Sequence, residues 1–290
     1  MLDIKFSVII PLYNKEQSIV NTLLSVLKQT YKDFEIVVIN DGSTDNSVNL
    51  VKKIKDKRIK IIHQENKGVS AARNRGIKEA SYDWVAFLDG DDLWEANHLQ
   101  EIVNMMDLYP AEKIFVTSFQ YSDGRAMFKH QRDDIIFEIK KYFKEAIKEE
   151  LIWTSIIVIH KQCFEKSGLF NVLFNRGEDL DLWARLAKEF KIIKSQRITA
   201  IYKIDAENRT NLSRDLKKCH YYHFDLYNYD SEDEVEYYKI FLFNRIIEYL
   251  YSQYYYTGFK LLWKYSLRVR VEFFIYFFNF MLGYVFKKLK

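Results

Sequence analysis

The first half of the chain alternates short apolar runs with amphipathic stretches. Phe6–Pro11 (FSVIIP), Phe34–Ile39 (FEIVVI), Arg58–His63 (RIKIIH) and Trp84–Leu88 (WVAFL) are rich in β-branched and aromatic residues, end in polar turns, and predict strands. Between them the spacing predicts helices over Glu16–Gln29, with Ile19, Leu23, Leu24 and Leu27 recurring, over Asn46–Lys55 with Val48, Val51 and Ile54, and over Val69–Ala80. Strict alternation implies βαβ crossovers, since parallel neighbours need a long return connection. The predicted class is α/β, a Rossmann-like, mostly parallel sheet flanked by helices. Ligands of such sheets sit beyond the carboxyl ends of the strands. Three of those ends carry polar clusters: Pro11-Leu12-Tyr13-Asn14, Asn40-Asp41-Gly42-Ser43 and Asp89-Gly90-Asp91-Asp92.

The second half is less regular. Ile114–Tyr121 and Ile156–His160 predict strands, and Asp179–Phe190 predicts a helix. From about residue 220 the sequence becomes aromatic-rich and helical, with an acidic patch at Asp230-Ser231-Glu232-Asp233-Glu234. A boundary is expected there, giving a domain 1–219 and a helical C-terminal extension 220–290.

With 290 residues and 48% hydrophobic side chains, the chain is long enough to bury a sizeable core. Two prolines and nine glycines leave no Pro- or Gly-rich linker, so boundaries must be read from pattern alone. Cys163 and Cys219 are far apart, which suggests neither a disulfide framework nor a zinc cluster. A strand beginning at Phe6 leaves no room for a secretory leader, and a cytosolic chain is expected. The net charge of +4 is unevenly spread: residues 259–290 hold seven lysines and arginines against Glu272 alone, and the rest of the chain is net acidic. The bulk of the protein is therefore no nucleic-acid surface.

Three carboxylates within Asp89-Gly90-Asp91-Asp92 would repel one another at the end of a buried strand unless a cation or a solvated turn relieved them. Mg²⁺ or Mn²⁺ would suit, taking one or two carboxylates and completing its shell with phosphate and water. The competing reading is an N-cap by Asp91 or Asp92 for a helix starting near Leu93. Asp41 stands at a strand end, where it is either an acceptor for a base N–H or a turn residue, while Asp45 suits capping of the following helix. Arg73 lies on a helix whose small residues permit close approach, and it either forks onto a diphosphate or is solvated. Glu178, Asp179 and Asp181 open the helix that follows Gly177, where acids favour a helix N-terminus.

Taken together, these motifs resemble the inverting glycosyltransferases of family 2, which have the GT-A fold. The carriers are Pro11-Leu12-Tyr13-Asn14, Asn40-Asp41-Gly42-Ser43-Thr44-Asp45, Asn66-Lys67-Gly68 with Ala71-Ala72-Arg73-Asn74, Phe87-Leu88-Asp89-Gly90-Asp91-Asp92 and Gly177-Glu178-Asp179, over roughly residues 5–210. The resemblance implies that Pro11, Tyr13 and Asp41 contact the nucleoside, with Tyr13 stacked on the base. It puts Arg73 near base or diphosphate, Asp89 on ribose or sugar, Asp91 on the metal, and Asp179 in the role of catalytic base. Two departures stand out. Asn40 replaces the aspartate of many members, and Ile201-Tyr202-Lys203-Ile204-Asp205 lacks the histidine that many carry after the tyrosine.

The expected reaction is a single in-line displacement: Asp179 takes the acceptor proton, and Asp91-bound Mn²⁺ or Mg²⁺ with Arg73 steadies the leaving nucleoside diphosphate. Residues 1–110 would hold the donor, a UDP-sugar by resemblance, and residues 111–219 the acceptor, a glycan or lipid-linked hydroxyl. Val271–Phe286 is apolar except for Glu272 and Asn279 and has basic flanks. It falls short of the roughly 20 residues of a membrane-crossing helix and predicts an interfacial one, peripheral on the inner face of the cytoplasmic membrane. The rival for this tail is a helix packed on protein. Rivals for the whole chain are a non-catalytic sugar-nucleotide-binding or scaffolding subunit, and a sugar-phosphate nucleotidyltransferase. The latter would need a Gly-rich basic loop after its first strand, which Pro11–Glu16 is not.

Overall fold

The computed structural model describes residues 4–125, 133–207, 212–213 and 215–288, with backbone alone for 281–288. The chain divides into two compact units, Met1–Thr210 and Asn211–Lys290.

The first unit is a nine-stranded sheet with helices. Its strands are β1 (Phe6–Leu12), β2 (Phe34–Asp41), β3 (Ile59–Gln64), β4 (Trp84–Phe87), β5 (Leu93–Trp94), β6 (Ile114–Tyr121), β7 (Ile136–Glu138), β8 (Ile157–His160) and β9 (Ile193–Tyr202). Its helices are α1 (Ile19–Leu27), α2 (Ser47–Lys53), α3 (Val69–Glu79), α4 (His98–Leu108), α5 (Tyr142–Ala146), α6 (Gln162–Ser167) and α7 (Glu178–Glu189). The strand order is β3-β2-β1-β4-β8-β6-β9-β5, with β7 also paired to β9. The edge from β3 to β4 is parallel throughout, as the alternation of strand and helix predicts. Beyond β4 the sheet becomes mixed: β8 runs antiparallel to both β4 and β6, and β6 runs parallel to β9.

Burial on both faces explains why the central strands read as continuous apolar runs. Val8, Ile9, Ile10 and Leu12 of β1 and Ile36, Val37, Val38 and Ile39 of β2 are wholly buried. Each such side chain stabilises the fold by about 1.5–3 kcal/mol. Helix α3 comes unusually close to β1. A Cβ on Gly76 would lie 2.3 Å from Ile9 Cγ2, so only glycine allows that approach.

The helix expected near Leu93 starts instead at His98. Leu93 and Trp94 pair antiparallel with Ile201 and Ala200 of β9, and this short ladder occupies the backbone that a helix would need. Neither Asp91 nor Asp92 therefore caps a helix.

The second unit contains α8 (Glu232–Tyr251), α9 (Tyr255–Trp263) and α10 (Leu267–Lys288). Ser231 caps α8 by accepting from Glu234 N–H at 3.2 Å, so the acidic patch is the first turn of a helix, where carboxylates oppose the exposed N–H groups. Phe273 of α10 lies 5.5 Å, ring to ring, from Phe243 of α8, and Tyr276 Oη donates to Asn244 Oδ1 at 2.8 Å. The opposite face of α10 is open: Leu267, Val271, Phe274, Ile275 and Phe278 are each at least half exposed. Among the described residues no helix is long and apolar enough to cross a membrane.

Candidate active site

From β1 the chain steps outward through β2 to β3 and then crosses back to β4 on the other side of β1, so the strand order reverses beside β1, and in such sheets ligands sit in the crevice at the carboxyl ends of the strands at that point. The loops that line it are tied together rather than loose. Asn14 adopts a left-handed φ of 50°, and its Oδ1 accepts from Thr44 N at 2.8 Å and Asp45 N at 3.3 Å. Its own N–H donates to Ser43 Oγ at 3.2 Å. One asparagine thus locks the turn after β1 to the turn after β2. Tyr13, beside it, is 43% exposed, and Pro11 is half-buried near the end of β1. Asp45 accepts from Ser47 N at 3.0 Å, serving the first N–H of α2 as the sequence predicts.

Asp41 ends β2 and is buried. Its Oδ1 accepts from Gln64 Nε2 at 2.7 Å and Lys67 N at 2.9 Å, and its Oδ2 from Gly68 N at 2.9 Å. This explains the Asn66-Lys67-Gly68 motif in part: the backbone there wraps the carboxylate and fixes its orientation. Asn40 Oδ1 accepts from Ser43 N at 3.0 Å, so the amide that replaces the family's aspartate still holds the turn.

Helix α3 presents a polar face to the segment leading into α7. Asn74 grips the Phe170 backbone twice, Nδ2 donating to its carbonyl at 2.8 Å and Oδ1 accepting from its N–H at 3.0 Å. Ser70 Oγ donates to Phe174 O at 3.3 Å. Arg73, one helical step away on the same face, is buried and bridges two carboxylates. Its Nη1 is 2.9 Å from Glu178 Oε1 and its Nη2 is 2.8 Å from Asp89 Oδ1. The guanidinium also lies over the Phe170 ring at 5.3 Å, and its buried Nε has no hydrogen-bond partner. Arg73 is thus neither solvated nor idle: it joins the acid run after β4 to the start of α7.

The acid run divides its labour. Asp92 is buried and accepts from Ser155 Oγ at 2.8 Å and Lys203 N at 3.2 Å. Burial, then the fields of Asp89 and Asp91, push its pKa well above the usual carboxylate range. It joins the loop after β4 to Ser155 and to the end of β9. Asp89 and Asp91 are half-buried. Asp91 Oδ2 is 2.7 Å from Lys15 Nζ, and its pKa is raised by burial, lowered by Lys15 and raised again by Asp89. Gly90 between them packs closely on β1: a Cβ there would lie 3.0 Å from Pro11 O, tighter than an ordinary contact.

Asp179 sits in the first turn of α7, which Gly177 enters with a left-handed φ of 75°. Burial raises its pKa, Arg73 opposes that and Asp89 adds to it, so the electrostatic fields of the β4 end reach this carboxylate. Glu178 is more deeply buried. Burial and then Asp179 push it up to about 6 against the pull of Arg73. Asp181 is engaged elsewhere, accepting from Arg185 Nη2 at 2.6 Å. Arg73 thus joins Asp89 to the start of α7, where Asp179 lies, and Asp91 stands two residues from Asp89, while Pro11, Tyr13 and Asp41 stand at the carboxyl ends of β1 and β2. Sequence reading missed Lys15, Ser155 and the bridging role of Glu178; their partners lie 76, 63 and 105 residues away, where spacing carries no signal.

Asp89 and Asp91 offer a hard cation two carboxylates, each with one oxygen engaged, by Arg73 and by Lys15 respectively. Mg²⁺ and Mn²⁺ need no more than this from protein when phosphate and water complete the shell, so the donor set fits. Among the described residues no group of three or more His, Cys, Asp and Glu side chains is placed so that it could hold a metal ion.

Comparison with known proteins agrees with this geometry. The profile of the family described as Glycosyl transferase family 2 matches residues 7–169. A Rickettsia bellii protein described as an uncharacterized glycosyltransferase is 36% identical over 189 residues, covering 64% of this chain and 26% of that protein. Escherichia coli WfaP, described as a UDP-Glc:alpha-D-GlcNAc-diphosphoundecaprenol beta-1,3-glucosyltransferase, is 31% identical over 204 residues, covering 69% of this chain and 77% of that protein. The chain spans only about a quarter to a third of the length of several curated relatives it matches. In fold it is similar to S. aureus TarS 1-349 crystallised with UDP-GlcNAc, with a TM-score of 0.67, 21% identity, and 93% of this chain and 79% of that one covered. A family profile spanning more than half of the chain, on a GT-A-like sheet with the family's motifs at its strand ends, makes this chain a member of glycosyl transferase family 2.

Proposed function

We propose that this chain is an inverting glycosyltransferase that moves a sugar from a UDP-sugar to a hydroxyl of a glycan or lipid-linked acceptor, in the building of a surface polysaccharide or glycoconjugate. The observation that carries this reading is the ion-paired bridge from Asp89 through Arg73 to Glu178, because it joins the donor end of the sheet to the helix that bears Asp179. The relatives support the substrate classes: E. coli WfgD and WfaP are described as acting on a diphosphoundecaprenol-linked acceptor with UDP-Glc, and TarS was crystallised with UDP-GlcNAc.

In this reading residues 1–110 hold the donor and 111–219 receive the acceptor, with 220–290 as the extension. Tyr13 stacks on the base, Pro11 packs beside it, and Asp41, already oriented by Lys67 and Gly68, accepts from a base N–H. Asp89 holds ribose or sugar. Asp179 takes the proton of the attacking hydroxyl; burial raises its pKa, which strengthens a carboxylate as a base, and Arg73 opposes that rise. Arg73 adds positive charge where the leaving diphosphate becomes negative. A divalent metal on Asp91, with Asp89, supplies further charge stabilisation to that leaving group when bound.

Asp179→Asn tests the assignment. It should bind a sugar nucleotide as the parent does while transfer falls by about two to four orders of magnitude, the usual contribution of a general base. A panel of sugar nucleotides, with and without Mn²⁺, should release nucleoside diphosphate; no release from any donor would point to a scaffolding subunit instead.

The second unit supports peripheral docking on an anionic membrane surface, from the cytoplasmic side. Positions 267, 271, 274, 275 and 278 form one exposed apolar stripe on α10, and Tyr255, Tyr256, Phe259 and Trp263 form another on α9. Lys260, Lys264 and Arg268 are exposed among them. Aromatic and cationic residues together suit a headgroup layer.

A further inference from the structure

Lys15 takes no part in the proposed transfer, yet its ammonium occupies the acid run. Its Nζ lies 2.7 Å from Asp91 Oδ2, with the two side chains only 13% and 17% exposed. The same ammonium donates to the carbonyl oxygen of Glu207. The loop that carries it is fixed on both sides: Lys15 N–H donates to Ser47 Oγ at 2.8 Å, and the Glu207 carboxylate accepts from Gln17 N, Ser18 N and Ser18 Oγ at 2.9–3.2 Å. This is not a surface lysine trading partners with water. Shielding from solvent strengthens such a pair relative to an exposed one.

We propose that Lys15 is a built-in counter-cation of Asp91, which a divalent metal must displace, so that metal is held tightly only once the donor diphosphate has arrived. The inference rests on assigning Asp91 to the metal. An ammonium at hydrogen-bond distance and a dication compete for the same half-buried carboxylate. A released ammonium left beside a dication is repelled by it, and Arg73 adds a further positive charge nearby. Asp92 offers no relief, because Ser155 and Lys203 already hold it. A diphosphate brings the missing anion, both for the metal's shell and for the freed lysine. Lys15 thus acts as a positioning residue that keeps the acid run closed to stray cations and couples metal affinity to donor binding.

The test measures Mn²⁺ affinity from the free-ion EPR signal on the full chain, with and without UDP. The proteins compared are the parent, Lys15→Met, Lys15→Gln and Lys15→Arg. The neutral variants should bind Mn²⁺ without UDP about tenfold or more tightly than the parent, and UDP should improve their affinity by a smaller factor. Lys15→Arg, which keeps the charge, should stay close to the parent. Lys15→Gln stands in should Lys15→Met fail to fold. If the neutral variants match the parent without UDP, or bind more weakly, while all bind Mn²⁺ with UDP, the counter-cation role is wrong and Asp91 keeps its metal. If no protein binds Mn²⁺ even with UDP, or Asp91→Asn binds it as the parent does, the metal assignment itself fails and the proposal falls with it.

Discussion

Glu178 shows how the crevice sets the behaviour of a single side chain. Its pKa is pushed up to about 6 from 4.5, by burial first and then by Asp179. An acid raised in the folded state contributes stability that is complete below its unfolded value and is lost as pH rises through its folded value. The window here is therefore pH 4.5 to 6. Glu178→Gln cannot ionise, so in urea titrations across pH it should gain on the parent by about 2 kcal/mol between pH 4.5 and 7. A stability difference that stays constant over that range would mean Glu178 does not titrate there. Neighbouring acids differ in how visible they were from sequence. Asp41, Asp89 and Asp91 stand at the ends of apolar runs, where a polar residue already needs a reason. Asp92 looked like a helix cap, because the hydrogen bonds that claim it come from Ser155 and Lys203, far off in the chain.

At the scale of elements, α3 is the part on which the crevice is built. Its inner side touches β1 through Gly76, and its polar side grips residues 170–178 through Ser70, Arg73 and Asn74. Gly76→Ala would normally favour a helix interior by up to about 1 kcal/mol. Here the added methyl would sit 2.3 Å from a fully buried Ile9 side chain, and over-packing of that kind costs about 1–3 kcal/mol. The variant should lose stability, by up to about 2 kcal/mol net, in chemical denaturation; a stabilised variant would mean that β1 and α3 can separate. The parallel elements β1 to β4 were legible because burial on both faces writes an unbroken apolar run. Strand β9 was not, because its interior is polar: Lys194, Ser195 and Thr199 are buried there, Lys194 Nζ donating to Thr117 O at 3.0 Å and Leu151 O at 2.9 Å. Polar groups that are satisfied only across the sheet leave no periodicity to read.

For the whole molecule, the C-terminal unit carries the prediction with the largest reach. Replacing Phe274, Ile275 and Phe278 by glutamine changes only exposed positions of α10 and should leave folding intact. Flotation with vesicles rich in anionic lipid should fall for this triple variant and, for the parent, should weaken as salt is raised. Equal flotation of parent and variant would instead make the stripe a surface for protein. The helical character of the tail was readable from its sequence, whereas the stripe on α9 emerges only once Gly258, Leu261 and Leu262 are seen to face inward.

The sheet changes direction at β4, and this has a bearing on descent. Under the proposed function, everything on the parallel side of that strand serves the nucleotide, and everything on the mixed side serves the acceptor. A gene crossover falling near residue 110 would therefore exchange one recipient specificity for another and leave the donor half whole. Such a hybrid has named junction terms to satisfy, among them a carboxylate for Arg73 at the start of α7, a hydroxyl for Asp92 at position 155, a backbone N–H at 203, a backbone for Asn74 to grip at 170 and a carboxylate at 207 for the turn after β1. Under that reading, acceptor choice can change by exchange of one half of the sheet while the nucleotide-binding half is kept.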